Sequence, residues 1–152
     1  FAAVNAGLGP VTATITVTPH FTNGAVTCNG ATETFTITVN PTAKVTDPVN
    51  QVVCHNGSTA NVVFASTNTG GTVTYTWAND ETGIGLVASG IGDIPSFVAS
   101  NTGTSPLVAT ITVTPHYENL TVTCDGPVQT FTITVNPLGQ VNDPADQVVC
   151  NG

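Results

Sequence analysis

Four cysteines, three histidines and nine carboxylates are the side chains of this sequence with the chemistry to cross-link, hold a metal or move a proton. The cysteines are Cys28, Cys54, Cys124 and Cys150. An even set of thiols without CxxC or HxxxH spacing points to disulfides in an oxidising compartment. Zinc, which wants four convergent nitrogen or sulfur ligands, is not expected. Asn79, Asp80 and Glu81 follow a predicted strand, and Asp93 can fold back toward them. Hard oxygens gathered in a turn are the ligands calcium takes, at roughly 2.3 to 2.6 Å. A weaker site of the same kind uses Asp47, or Asp143 with Asp146, between domains. A solvated turn accounts for the same residues, so no cofactor is required and calcium is the one candidate. His20 and His116 each follow a proline at a predicted strand end, where a polar side chain needs no catalytic reason. No GxSxG, HExxH or P-loop pattern occurs, and no serine has an evident base beside it, so an enzyme is not expected. Trp77, the only tryptophan, lies in an alternating TYTW segment with Tyr75 on the same face. That pattern predicts a core aromatic, with a sugar-stacking platform as the alternative.

The elements that must position these residues are strands. About a fifth of the 152 residues are Thr, with Val close behind, and branched Cβ atoms suit a pleated surface. Only 7% are charged, with Lys44 the sole cation and a net charge of −8. One lysine cannot neutralise a row of phosphates, which argues against nucleic acid, and no apolar run reaches the roughly 18 residues of a membrane span. Ile15 and Val17, then Phe35, Ile37 and Val39, alternate with Thr, as do Ile111, Val113, Phe131, Ile133 and Val135. This is the period of a strand with one buried and one hydrated face, and it makes the last five candidate core residues.

The chain also repeats itself. ATITVTPHF at 13-21 returns as ATITVTPHY at 109-117, TFTITVNP at 34-41 returns at 130-137, and VTDPVNQVVC at 45-54 returns as VNDPADQVVC at 141-150. The offset is about 96 residues throughout, and 33 of the 54 positions from 1 to 54 are identical to their counterparts. A period near 100 residues is a domain rather than a solenoid turn. The predicted fold class is therefore all-β, as tandem immunoglobulin-like antiparallel sandwiches. Residues 1-41 read as the C-terminal half of one repeat, 42-137 as a complete one, and 138-152 as the first strand of the next. Strands are expected near 48-54, 60-66, 72-78, 94-100, 107-117 and 129-136, with a short piece near 84-88. Phe1 aligns with Phe97 inside a predicted strand. Half a sandwich exposes its inward face and its edge, so the missing strands are expected from a longer chain or from another one.

Within the repeat, Cys28 corresponds to Cys124 and Cys54 to Cys150. One disulfide per domain, Cys54 with Cys124, is the favoured pairing, leaving the partners of Cys28 and Cys150 outside this window. A simple sandwich puts Cys54 and Cys124 toward opposite poles, however, and cross-boundary pairs Cys28 with Cys54 and Cys124 with Cys150 stay open.

DPVNQVVCHNG (47-57), TYTW (74-77), GIGDIPSFVASNTGTSPLVATITVTP (90-115) and TFTITVNP (130-137) together resemble the PKD-like, immunoglobulin-like repeats of giant cell-surface proteins of Bacteroidota. The resemblance covers essentially the whole chain. It implies an extracellular, type IX-exported structural repeat of a stalk, fibre or filament, whose partners are neighbouring copies associating end to end or side by side. An adhesin module that binds a glycan or surface through loops 80-93 and 117-128 is the alternative. A spacer in a secreted polysaccharide-degrading enzyme is a third reading.

Overall fold

The computed structural model describes residues 2–152. The placement expected of Phe1 lies outside the described residues. Threonine and valine alternation sets the elements. Ten strands occur in the order β1 (Val11–Val17), β2 (His20–Asn23), β3 (Val26–Asn29), β4 (Glu33–Val39), β5 (Gln51–Cys54), β6 (Thr72–Asn79), β7 (Ser89–Ile91), β8 (Leu107–Asn119), β9 (Val122–Asp125) and β10 (Gln129–Asn136). The one helical element among the described residues is a single 3-10 turn, Thr82–Ile84. The protein is all-β.

Residues 42–137 hold the larger unit. A six-stranded sheet runs β5-β10-β8-β6-β7, with β9 also pairing β8. The long strand β8 organises it. Its first half pairs with β10 through Phe131↔Ile111 and Ile133↔Ala109, its second half pairs with β9, and its other edge pairs with β6. All of these pairings are antiparallel, and β5 alone lies parallel, against β10. Every second residue of β8 and β10 points inward: Ala109, Ile111, Val113, Ile133 and Val135 are fully buried and Phe131 nearly so. They pack with Trp77, Ile84 and Leu86, and with Val62, Phe64, Ile94 and Ala99 from the segments facing the sheet.

Those facing segments correct two expectations. Residues 60-66 and 94-100 do not form continuous strands but meet at isolated bridges, Ser58↔Val98 and Val62↔Ile94. Side chains supplement a ladder reduced to a few main-chain bonds. Asp93 accepts from the Phe64 N–H, Asn61 from the Ser96 N–H, and the Thr59 hydroxyl oxygen from the Phe97 N–H. The piece expected near 84-88 is likewise displaced, becoming the 3-10 turn and then β7.

Residues 5-39 repeat the geometry of 101-135 down to individual bonds. β1 pairs with β4 in the register of β8 with β10, Ala13↔Ile37 matching Ala109↔Ile133. The Asn101 amide donates to the Ser105 and Val135 carbonyls and its oxygen accepts from the Gly103 N–H. Asn5 does the same with Gly9, Val39 and Gly7. Among the described residues, none lies over this smaller unit as 42–96 lie over the larger one. Phe35 is 52% exposed where its counterpart Phe131 is 2% exposed.

Candidate functional site

The thiols are held apart by the strand order. Cys54 ends β5 opposite Asn136, whereas Cys124 lies in β9 opposite Tyr117. Because Val135 pairs with Leu107, these two positions are separated by about ten residues along β8, or roughly 33 Å. A disulfide needs Cα atoms within about 7 Å. The intradomain Cys54–Cys124 bridge is therefore corrected: Cys28, Cys54, Cys124 and Cys150 are all free thiols, three of them exposed and Cys124 half-buried. Parallel pairing of β5 with β10 is the cause, because it carries Cys54 away from the β8–β9 hairpin.

The oxygens expected to gather around calcium are each engaged elsewhere. Asn79 is buried; its amide donates to the Leu86 and Val87 carbonyls and its oxygen accepts from the Glu81 N–H. Asp80 accepts from the Thr110 N–H at 2.6 Å and Glu81 from the Gly83 N–H at 2.8 Å. Asp93 does not fold back toward them. β7 runs antiparallel to β6 and delivers Asp93 beside Tyr75, about four residues or ~13 Å along the strand from Asn79. There its carboxylate fixes Phe64. These four residues pin loop backbone to sheet. Among the described residues no three His, Cys, Asp or Glu side chains converge, Asp47, Asp143 and Asp146 included.

The histidines form a repeated polar pair. His116 Nδ1 lies 2.6 Å from Asp125 Oδ1 and its Nε2 2.9 Å from the Thr76 hydroxyl; His20 makes the first of these contacts with Asn29. Both pairs stitch the hairpin mouth of their repeat. Trp77 is in the core, 7% exposed, with Gly90 flat against its ring. A Cβ at Gly90 would stand 2.3 Å from the indole. Tyr75 stacks obliquely on Phe64 at 5.4 Å, and burial together with the Asp93 charge pushes its hydroxyl pKa up despite a bond from Ser66.

What sequence reasoning missed is the junction between the two units. Asn40 and Asn119 bond reciprocally, Asn119 Nδ2 to Asn40 Oδ1 at 2.9 Å and Asn40 Nδ2 to the Asn119 carbonyl at 3.2 Å. Pro41 and Ala43 are fully buried, with the Ala43 carbonyl against Gly126. Asn68 clamps the linker from the other side, accepting from the Lys44 N–H and donating to the Leu8 and Thr42 carbonyls. Thr69 N–H also donates to Leu8, and the Tyr117 hydroxyl to Thr69. The signal was there: Asn40-Pro41 recurs as Asn136-Pro137, and a boundary that repeats is one that is built.

No protein-family model, curated protein or solved structure matches this chain. No helix among the described residues is long and apolar enough to cross a membrane.

Proposed function

We propose that this chain is a structural segment of a tandem immunoglobulin-like array, working outside the cell as a stalk, fibre or filament and carrying no catalytic activity of its own. The observation that supports it is the junction. Asn40, Pro41 and Ala43 lock the end of one repeat against the start of the next, and a bonded, proline-bounded linker transmits orientation where a Gly/Ser tether would not. The contact is pole to pole: Asn40 and Leu8, where β4 ends and just before β1 begins, meet Asn119 and Thr69 at the far end of β8. Successive units therefore add length. With β8 alone spanning about 43 Å, two units reach roughly 80 Å or more. The threonine-faced outer surfaces, with Thr12–Thr38 and Thr22–Thr27 hydroxyl pairs, suit an exposed, sparsely charged fibre.

Small-angle scattering of the dilute, reduced chain tests this. A stiff end-to-end pair gives a radius of gyration above ~22 Å, whereas a compact globule of this length gives ~15 Å. A value near the latter overturns the reading. Surface labelling of intact cells with an antibody to 42-137 tests the location. The adhesin alternative draws on one observation, a shallow depression between Tyr75 and the 82% exposed Ile91, and would require glycan binding that is lost on Ile91→Asp.

A further inference from the structure

The outer face of the larger sheet carries one group of side chains that a stalk does not need. Alternation along β8 turns Pro115 and Tyr117 into the core and His116 outward, between strands on both edges. On one edge His116 lies opposite Asp125 of β9. On the other, Thr74 pairs with His116 and Thr76 with Thr114, which makes Thr76 the diagonal neighbour of His116. Three adjacent strands thus set Thr76, His116 and Asp125 in a row across the sheet. His116 Nδ1 stands 2.6 Å from Asp125 Oδ1, and its Nε2 stands 2.9 Å from the Thr76 hydroxyl.

The order of these contacts fixes the protons. A carboxylate only accepts, so in the neutral ring Nδ1 carries the hydrogen and Nε2 is left as a bare acceptor. The Thr76 hydroxyl therefore donates to Nε2. A hydroxyl bonded to a base, with the base held by a carboxylate, is the arrangement that activates an oxygen nucleophile. At His20 the place of Asp125 is taken by Asn29, which accepts from the ring but brings no charge to offset an imidazolium.

We propose that Thr76 is an acyl acceptor, with His116 as its general base and Asp125 as the positioning residue, and that the donor is an uncharged, activated ester of an apolar carboxylic acid. Thr76 Oγ1 attacks the ester carbonyl as its proton passes to His116 Nε2. The bond from the carbonyl carbon to the leaving oxygen then breaks; that oxygen keeps the electron pair and takes the proton from Nε2. One ester and one hydroxyl give one ester and one alcohol, and nothing is oxidised or reduced. Thr76 is exposed, and its direct partner on β7 is Ile91, 82% exposed. With Val73, Tyr75 and Gly92 these two residues line a shallow, largely apolar depression that suits an apolar acyl chain. Asp125 beside the site, in a chain with nine carboxylates and one lysine, turns away anionic donors such as acyl phosphates. The transfer happens once per chain. A plain threonine ester needs an oxyanion hole to be hydrolysed, and the Thr76 main chain, paired with Ile91 on one side and Thr114 on the other, offers none.

An ester on the sheet face goes beyond the stalk reading and does not rest on it. The test treats the 152-residue chain, its thiols capped with iodoacetamide, with p-nitrophenyl butyrate. Nitrophenolate release, intact mass and peptide mapping are followed together. A single butyryl group on Thr76 is expected. Thr76→Val leaves that position unmodified, and Thr76→Ser restores the reaction. His116→Gln slows the transfer about a hundredfold, the lower end of what a general base contributes. Asp125→Asn keeps an acceptor for Nδ1 and slows the transfer several-fold while the urea midpoint stays where it was, which separates positioning through charge from a structural role. No butyryl on Thr76, modification of Lys44 or His116 in its place, a Thr76 that reacts no faster than an outward threonine such as Thr132, or an unchanged rate with His116→Gln would each overturn the proposal. Scattering on the unmodified chain reports the junction separately, so a failure of either reading is recognised on its own.

Discussion

Phe35 and Phe131 are the same amino acid at the same position of the repeat, in the same register, yet one is half exposed and the other lies in the core. Identity along the chain does not carry energy; the neighbours do. Phe131→Ala leaves a cavity among Ile111, Trp77 and Val62 and is expected to cost about 3 to 5 kcal/mol. Phe35→Ala is expected to cost less than about 1 kcal/mol. Denaturant unfolding of the two variants, with the larger transition followed by Trp77 fluorescence, checks the contrast. Tyr117 makes the same point with polarity. It is fully buried and its hydroxyl donates to Thr69, whereas its counterpart Phe21 is 72% exposed. Burial, reinforced by the neighbouring Cys124, raises the Tyr117 pKa above 10. A raised pKa means the folded state holds the proton more tightly than the unfolded chain. This contribution is complete below about pH 10 and is lost as pH climbs through the higher folded value. Tyr117→Phe should be less stable near neutrality and should lack that part of the alkaline loss, as read from urea midpoints across pH.

At the scale of elements, alternation was legible wherever a ladder exists. The Thr/Val period located β6, β8 and β10 because those strands have one face on core and one on water, and it located β1 and β4, which carry the same period although neither has a buried residue. The same period misled at 60-66 and 94-100. Their inward residues Val62, Phe64 and Ile94 are buried as in a strand, but Asn61, Asp93 and Thr59 side chains take over the backbone bonds. Burial alternates there while pairing shrinks to two isolated bridges. β9 was hidden for another reason. In this copy its turn is Leu120-Thr121, both at positive φ (50° and 62°), where the matching position 24 is a glycine and announces the turn. The candidate calcium turn was legible as a cluster of oxygens but not as a set of caps, since capping depends on which N–H groups the fold leaves nearby. Asp80→Ala should therefore free the Thr110 N–H and lower the melting temperature by several degrees. Adding a chelator to the unaltered protein should leave it within about a degree. A large chelator effect would restore the metal reading.

For the whole molecule, charge scarcity decides how the copies of the proposed fibre respond to salt. One lysine against nine carboxylates leaves nothing on a neighbouring copy for those carboxylates to pair with, so like charge opposes contact at low salt. The Debye length falls from about 30 Å at 0.01 M to about 8 Å at 0.15 M. Assembly should therefore rise with ionic strength, opposite to a contact built on salt bridges. Sedimentation at low and moderate salt reads this directly. A fall in association with added salt would show that hidden charge pairing holds copies together.

The parallel pairing of β5 with β10 has a mechanical consequence. The linker enters at the pole where Ala43 meets Gly126, and the chain leaves at the other pole past Asn136. A pull on the two ends of the unit drags β5 one way and β10 the other, along their common axis. Every bond of that ladder is then loaded at once in shear, rather than broken one after another as in an unzipping hairpin. The β2–β3 and β8–β9 hairpins lie off this line of force. A single-molecule pulling experiment should accordingly find its highest rupture event at the short β5–β10 ladder, and that event should be weakened by Val53→Pro, which removes an N–H from the strand.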